Sequence, residues 1–327
     1  MQTPEPKLVA VSEPNISAFG GPGIGPSLRR AWFATRPQFL TASALPVILG
    51  TAWGARQSGS FDLISFLLAL LGVALLHAAS NVWNDVGDEQ CGTDSQNNQR
   101  IYPFTGGSRF IQNGVLSLAQ MTRLSLLLAA GAGVVGAVLI WLHGWPILVL
   151  GALGGAIGGL YSWPRVQLAG LGLGEMAVAL AFGVLPVCGA AWLQQGSLDL
   201  MTLLLGLPVA GWVAAVLLIN EIPDREADSR AGKRTLPVRL GLAWTGILYA
   251  CLQGMALLGV VIWQQRLGFS VWPLAGFTLL GGVGLVLGYR LAARLPGLPL
   301  MIRLTLTTHA AGCLGLVAWI MLAGPGL

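Results

Sequence analysis

The sequence predicts an all-α integral membrane protein with nine spanning helices. Composition is the first reason. Of 327 residues, 54% are hydrophobic and 9% are charged, whereas a soluble domain carries about 25% charged residues. Mean hydropathy is +0.71. The second reason is a series of apolar segments, each near the ~20 residues that a bilayer-crossing helix needs. The third is the one-sided placement of the basic residues.

Residues 1–28 are rich in Pro, Gly and Ser, lack an apolar run and show no signal peptide. They read as a disordered N-terminal tail, and residues 29–327 read as the transmembrane domain. Apolar segments follow at 39–57, 61–83, 121–142, 145–163, 171–194, 200–221, 241–264, 270–289 and 299–322. With the N-terminus in the cytoplasm, the near side collects Lys7, Arg29, Arg30 and Arg36, then Arg100, Arg109 and Arg123, then Arg165. It also collects Arg225, Arg230, Lys233, Arg234 and Arg239, and finally Arg290, Arg294 and Arg303. Of the 18 basic residues only Arg56 and Arg266 fall on the far side, as the positive-inside rule requires. A missed or added span would scramble this division, so the charges support the count of nine. The long polar loops, after spans 2 and 6, both lie on the near side. Function is therefore expected at the cytoplasmic face.

Within the spans, Gly151, Gly155 and Gly159 have the spacing of close helix packing. Pro46, Pro186 and Pro208 are candidate kink sites. Cys91, Cys188, Cys251 and Cys313 show no paired or metal-type spacing, so no disulfide framework is implied. The pI near 9.4 reflects topology charges rather than nucleic-acid binding.

The chemistry is concentrated in two stretches. The first reads Asn81-Val-Trp-Asn84-Asp85-Val-Gly-Asp88, then Gly92-Thr93-Asp94. The second reads Asn220-Glu221-Ile222-Pro223-Asp224, then Asp228 and Gly232-Lys233-Arg234-Thr235. With Glu89 and Glu226 they hold eight of the chain's 13 acids. Asn81, Asn84, Asp85 and Asp88 recur at helical spacing and share one face. Asn220, Asp224 and Asp228 form a second such face, offset by about 139 residues in what looks like a weak internal repeat. Two like charges about 5 Å apart repel by about 3 kcal/mol at an effective dielectric near 20. Oxygen-only ligands suit Mg²⁺, which binds one or two carboxylates plus substrate phosphates. Arg100 follows the first set, and Lys233 and Arg234 follow the second, which suits a diphosphate bridged through the metal. Arg109 and Arg239 are read as topology charges and His309 as structural. His77 is either cavity-lining or a buried, satisfied histidine. Glu221 and Glu226 are read as solvated or supporting.

Further motifs surround these stretches. Arg36-Pro37 precedes Ala44-Leu45-Pro46-Val47-Ile48-Leu49-Gly50. Tyr161-Ser162 precedes Gly172-Leu173-Gly174-Glu175, and Val238-Arg239-Leu240-Gly241 closes the second Asp stretch. Together these segments resemble the UbiA superfamily of intramembrane aromatic prenyltransferases, over most of residues 30–322. Within it they are most similar to the branch that prenylates 1,4-dihydroxy-2-naphthoate in menaquinone synthesis. The chain departs from that branch at Pro223, where many members have Arg, and at Trp163-Pro164-Arg165-Val166-Gln167.

The resemblance implies a nine-helix bundle around a central cavity in the bacterial cytoplasmic membrane, with its active site facing the cytoplasm. It implies that Asp85, Asp88, Asp224 and Asp228 hold Mg²⁺ on a polyprenyl diphosphate, with Asp94 as helper. Asn81, Asn84, Arg100, Asn220, Lys233 and Arg234 would bind substrate. Tyr161 would face the allylic cation in a cation–π contact. The implied partners are polyprenyl diphosphate, an aromatic acid and the lipid bilayer, with no nucleic acid. Two enzymatic alternatives change the acceptor to 4-hydroxybenzoate or another phenol such as homogentisate. A different class, a cation-coupled transporter, also places acids in membranes, but near the midplane and without the basic residues that follow here. A lipid phosphatidyltransferase would need an Asp-Gly-x-x-Ala-Arg motif, which the sequence lacks.

Overall fold

The computed structural model describes residues 12–268 and 270–323, and among these the regular structure is entirely helical. Nine long helices follow in order: α1 Thr41–Ser58, α2 Leu63–Gln90, α3 Leu118–His143, α4 Trp145–Ser162 and α5 Gly174–Gln195. Then come α6 Leu200–Asn220, α7 Leu236–Leu267, α8 Leu274–Ala292 and α9 Leu298–Leu322. Each expected span has its helix. All but α1 are long and apolar enough to cross a membrane among the described residues. α1 has the length, but Thr41, Ser43, Thr51 and Arg56 dilute its hydropathy.

Local chemistry sets the helix ends. Asp62 caps α2 by accepting from Ser65 N (3.1 Å), and Asp199 caps α6 through Thr202 N (2.7 Å). Ser117 and Gln120 form a capping box on α3. Pro146, Pro237 and Pro299 sit in the first turns of α4, α7 and α9, where a missing N–H has no effect. Gly241 (φ 71°) breaks α7 after its first turn, a conformation that a side chain would strain. In α5 a π-helical turn, Ala179–Val184, lies directly before Pro186, which has no N–H to continue the ladder. Exposed Trp141, Trp145 and Trp272 ring one end of the bundle, and Trp163 and Trp244 the other, as at two membrane–water interfaces.

α6 is the central helix. Its most apolar window is 78% buried, against 11% for α4. α7, α8 and α9 pack against its back in a dry core of Trp53, Trp212, Trp263, Phe277 and Trp319. Glycines bring these backbones together: a Cβ on Gly246 would lie 2.6 Å from Gly288 O, and one on Gly54 would lie 2.6 Å from Ala191 O. The α4 glycines do something else. A Cβ on Gly151, Gly155 or Gly159 would meet nothing within 4 Å. These three glycines therefore do not bring helices together, and Gly151 and Gly155 instead form open wall; Gly158 is the close approach, where a Cβ would lie 2.5 Å from Ser80 Oγ of α2.

That wall belongs to a cavity of about 730 Å³. It is not at the centre of all nine helices. α1–α6 enclose it, while α7–α9 close the far side of α6. Along α2 it is lined from Ala69 to Asp88, roughly 28 Å at the helical rise per residue.

Residues 12–28, expected to belong to a structureless tail, are folded. Asn15 caps a helical turn, Ile16–Phe19, and a longer helix runs Ile24–Ala34. Phe19 stacks edge-on against Phe110 (5.1 Å), and Glu13 accepts from Arg100 (2.7 Å) and Asn113 (3.2 Å). These contacts lie across more than 80 positions of sequence, so composition gave no sign of them. Residues 1–11 of the expected tail lie outside the described residues.

Candidate active site

α2 continues past its apolar part to Gln90, so Asn81 to Asp88 are helical, while Asp94 lies in a separate turn of helix, Thr93–Gln96, after left-handed Gly92. α6 ends at Asn220, and the second stretch turns into a short helix, Arg225–Arg230. Antiparallel alternation of the helices puts both stretches at one end of the bundle, where they close the cavity. Asn81, Asn84, Asp88, Asp94, Tyr161, Asn220, Asp224, Asp228 and Lys233 all line it.

One cross-link joins the stretches directly. Lys233 Nζ pairs with Asp88 Oδ1 and lies 4.0 Å from Asp228. Burial opposes the charge on Lys233, but Asp88 and Asp228 overcome it and hold the ammonium above the ordinary lysine range. Asp88 also accepts from Asn84 (3.2 Å), which in turn reaches Ser162 (3.0 Å).

A second link comes from the loop after α2. Asn97 donates to Asp224 Oδ1 (2.6 Å), and Gly106 N donates to Asp224 Oδ2 (3.2 Å). Ser108 N donates to Asp85 Oδ2 (3.1 Å). Arg109, read from sequence as a topology charge, is buried and donates to Asp94 O (2.6 Å). This loop clamps the acids of both stretches. Burial raises Asp224 above the usual carboxylate range, partly offset by the Asn97 and Gly106 donors. Burial also pushes Asp228 up to about 7 against the pull of Lys233. Burial, with Asp88, Asp85 and Asp224 nearby, places Asp94 well above its ordinary value.

The structure separates the predicted cations. Lys233 points into the cavity, whereas its neighbour Arg234 is exposed and its N–H bonds Gly170 O (2.9 Å). Consecutive residues in extended chain point to opposite sides. Arg100 is not among the lining residues, because Glu13 and the Asn97 carbonyl hold it outside. Arg36 enters instead. It donates to Asn84 Oδ1 (2.9 Å) and Asn81 O (3.2 Å) and lies 3.5 Å from Asp85. Its backbone is left-handed (φ 56°), as is that of Arg109 (φ 66°). Strain of this kind, about 1–3 kcal/mol each, persists where surroundings hold it and clusters at functional sites. The sequence signals for these residues were Arg36 before Pro37 and the Gly106-Gly107 pair, which permits close backbone approach.

Asp85 lies one layer behind the cavity wall, 2% exposed. Its Oδ1 and Asp94 Oδ2 are buried without hydrogen-bond partners. Both oxygens close on Gly107, where a Cβ would lie 3.1 Å from Asp85 Oδ1 and closer still to Asp94 Oδ2. Among the described residues only Arg36 pairs with Asp85 Oδ1, at 3.5 Å, so these carboxylate oxygens suit a hard cation. Among the described residues no three His, Cys, Asp or Glu side chains form a closed cage. A cation held by one or two carboxylates and completed by a ligand's oxygens needs none.

His77 combines both readings of the sequence. It lines the cavity, is buried, bonds Ser43 (2.9 Å) and meets Phe182 of the π turn edge-on (4.7 Å). His309 packs in the core beside Cys313. Glu221 is not solvated: it is 7% exposed and lines the cavity.

Fold and site define an intramembrane protein built for an amphiphile, with room for an apolar tail and a charged head among paired acids and cations. The chain belongs to the UbiA prenyltransferase family, whose model matches residues 43–299, and it is a prenyltransferase. It is 33% identical to the 1,4-dihydroxy-2-naphthoate octaprenyltransferase of Escherichia coli over 75% of this chain and 80% of that one. The enzyme of that name from Haemophilus influenzae is also 33% identical, over 70% of this chain and 74% of its own length. Among solved structures, a UbiA homologue from Archaeoglobus fulgidus bound to GPP and Mg²⁺ matches with a TM-score of 0.62 at 15% identity. The match covers 89% of this chain and 99% of that one. An apo UbiA homologue from Aeropyrum pernix gives 0.66 at 20%, covering 86% and 96%.

Proposed function

We propose that the protein transfers a polyprenyl chain from polyprenyl diphosphate to 1,4-dihydroxy-2-naphthoate, with Mg²⁺, as a step of menaquinone synthesis. The observation that carries this reading is the junction at the cavity mouth, where Asp88, Asp94, Asp224, Asp228, Lys233 and Arg36, with Asp85 behind them, close an apolar chamber lined by small residues. The donor's two parts match that division. The relatives that share a third of its sequence carry the naphthoate name. The active-site end would face the cytoplasm, since the basic residues gather there.

The residues divide the work. Asp85, Asp88, Asp94, Asp224 and Asp228 would hold Mg²⁺, whose positive charge offsets that of the departing diphosphate. Lys233 and Arg36 are placed to bind diphosphate oxygens, and Asn81, Asn84 and Asn220 to orient them. Breaking the allylic C–O bond releases diphosphate and leaves a cation at the prenyl C1. Tyr161, in the wall beside the acids, presents a ring face to that cation. The apolar wall keeps water from capturing it, so the electron-rich acceptor ring attacks instead. A proton leaves the ring as aromaticity returns. Arg100 and Arg234 lie outside the cavity and hold the loops that carry Asp94 and Lys233.

The test is product mass spectrometry on purified protein offered mixed aromatic acceptors, prenyl diphosphates of several lengths and Mg²⁺. Prenylated naphthoate product is expected from wild type and none from Asp224→Ala, with the variant still folded in detergent. Product on 4-hydroxybenzoate or homogentisate alone overturns the naphthoate assignment. Near-normal turnover in Asp224→Ala overturns the site.

A further inference from the structure

Two further acids, one in the cavity wall and one behind it, are left over from the proposed diphosphate site. Glu175 lies in the first turn of α5 and is 6% exposed, and Glu221, which caps α6, is 7% exposed. Both Glu175 oxygens and Glu221 Oε2 are buried without a hydrogen-bond partner. The two carboxyls stand within hydrogen-bond reach of each other. Two ionised carboxylates do not share an apolar site at that distance, so one proton lies between them. The helix N-terminus beside Glu175 favours leaving the negative charge there.

Their position is informative. Glu221 lines the cavity, and Glu175 stands behind it. Tyr161 lines the same cavity as Glu221, and a Cβ on Gly174, the residue before Glu175, would lie 3.5 Å from Glu221 Oε1. The pair therefore stands where α5 begins and α6 ends, on different helices from Asp85 and Asp94. A ring that is to meet the prenyl C1 must sit here. One shared proton serves only the two facing oxygens, so the remaining oxygens of the pair still need a donor from outside the protein, and an aromatic hydroxyl is the group that fits an apolar chamber. Lys233, a lining cation, is already paired with Asp88 and Asp228, so a ligand carboxylate set against Glu221 would meet like charge. Pro223 follows Glu221 closely in sequence, and Arg234 and Arg239 are exposed.

We infer that the Glu175–Glu221 pair is the acceptor-recognition site: Glu221 accepts a hydrogen bond from a free ring hydroxyl of the aromatic substrate, and Glu175 holds Glu221 in place through their shared proton. The substrate class is a hydroquinone or phenol that turns a hydroxyl, rather than a carboxylate, toward α5 and α6. Accepting that hydrogen bond also increases electron density in the ring, which assists attack on the cation. This inference rests on the proposed transfer to an aromatic ring.

The experiment compares each hydroxyaromatic acceptor with its O-methyl ether, which keeps the ring but has no proton to donate. Wild type, Glu221→Ala, Glu221→Gln and Glu175→Gln are assayed with Mg²⁺ and prenyl diphosphate. Wild type should prefer the free hydroxyl by about 10- to 100-fold in kcat/KM, the range of a hydrogen bond to an acid group. Glu221→Ala should lose most of that preference and raise the acceptor KM. Its KM for prenyl diphosphate and its Mg²⁺ half-saturation should stay within about twofold of wild type, a change too small to signal a lost hydrogen bond. Glu221→Gln, which keeps shape and one acceptor oxygen, should retain part of the preference if Glu221→Ala proves unstable. An unchanged preference in both Glu221 variants overturns the inference, as does a loss confined to Mg²⁺ or diphosphate affinity. Failure of wild type to prenylate any aromatic acceptor overturns the proposed function as well, so the two failures are distinct.

Discussion

At the scale of single residues, Lys233 is the part most open to test. It is 5% exposed and stands between Asp88 and Asp228 from opposite stretches. Removing one partner of a buried pair costs about 3–5 kcal/mol, because it leaves an uncompensated charge. Lys233→Met should therefore melt at lower temperature in Mg²⁺-free detergent. Mg²⁺ offers the same acids another positive charge, so its addition should raise the melting temperature more in the variant than in wild type. Scanning fluorimetry with and without Mg²⁺ checks this, and an equal rise would separate these acids from the metal. The residues of this site were unevenly legible in the sequence. Acids spaced by one helical turn in an apolar chain have no other inexpensive explanation, so Asp85, Asp88, Asp224 and Asp228 stood out. Arg36 did not, because an arginine before the first span is already accounted for by topology. Its side chain reaches Asn84 only through a left-handed backbone that sequence does not reveal.

At the scale of elements, the loop between α2 and α3 has the largest role that sequence left unread. It is polar and irregular, and hydropathy marks it only as a connection. In the structure Asn97, Gly106 and Ser108 bind acids from both stretches. Gly107 (φ 72°) sits where a Cβ would enter the space between Asp85 and Asp94. Gly107→Ala should thus raise the Mg²⁺ concentration for half-maximal activity by about tenfold or more, equivalent to about 1.4 kcal/mol, while far-UV circular dichroism stays unchanged. Gly114→Ala is the control. Gly114 lies in the same loop with φ 69°, but its Cβ would meet only Ile16 Cδ1 at 3.6 Å. It carries the same backbone strain, about 1–2 kcal/mol, without the intrusion. Equal effects from the two variants would reduce Gly107 to a turn residue. The α4 glycines teach the same lesson about what spacing conveys. Small residues every four positions mark one face of a helix, but they do not say whether that face meets another helix or empty space.

At the scale of the whole molecule, nine helices were legible because apolar length and one-sided charge are both written along the chain. Which of them enclose the cavity was not, because it depends on pairwise packing between segments that look alike in composition. The resulting division is expected to set the donor specificity. The small residues Ala129, Ala132, Gly133, Gly136 and Ala137 of α3 face the chamber together with Gly151 and Gly155 of α4. A Cβ on Gly136 or Gly155 would meet nothing within 4 Å. Leucine should therefore fit at either position without moving backbone, and it improves helix propensity by close to 1 kcal/mol over glycine. Stability should hold or rise slightly in Gly136→Leu and Gly155→Leu, while the chamber beyond the substituted turn narrows. Short prenyl diphosphates, which do not reach that depth, should be used nearly as well as by wild type. Long ones should lose kcat/KM progressively with each added isoprene unit, and the double variant should cut off at a shorter length than either single one. Product-length distributions by mass spectrometry read this directly. A donor profile unchanged in the double variant would mean that the tail leaves the acid end by another route, with the α3–α4 wall playing no part in measuring it.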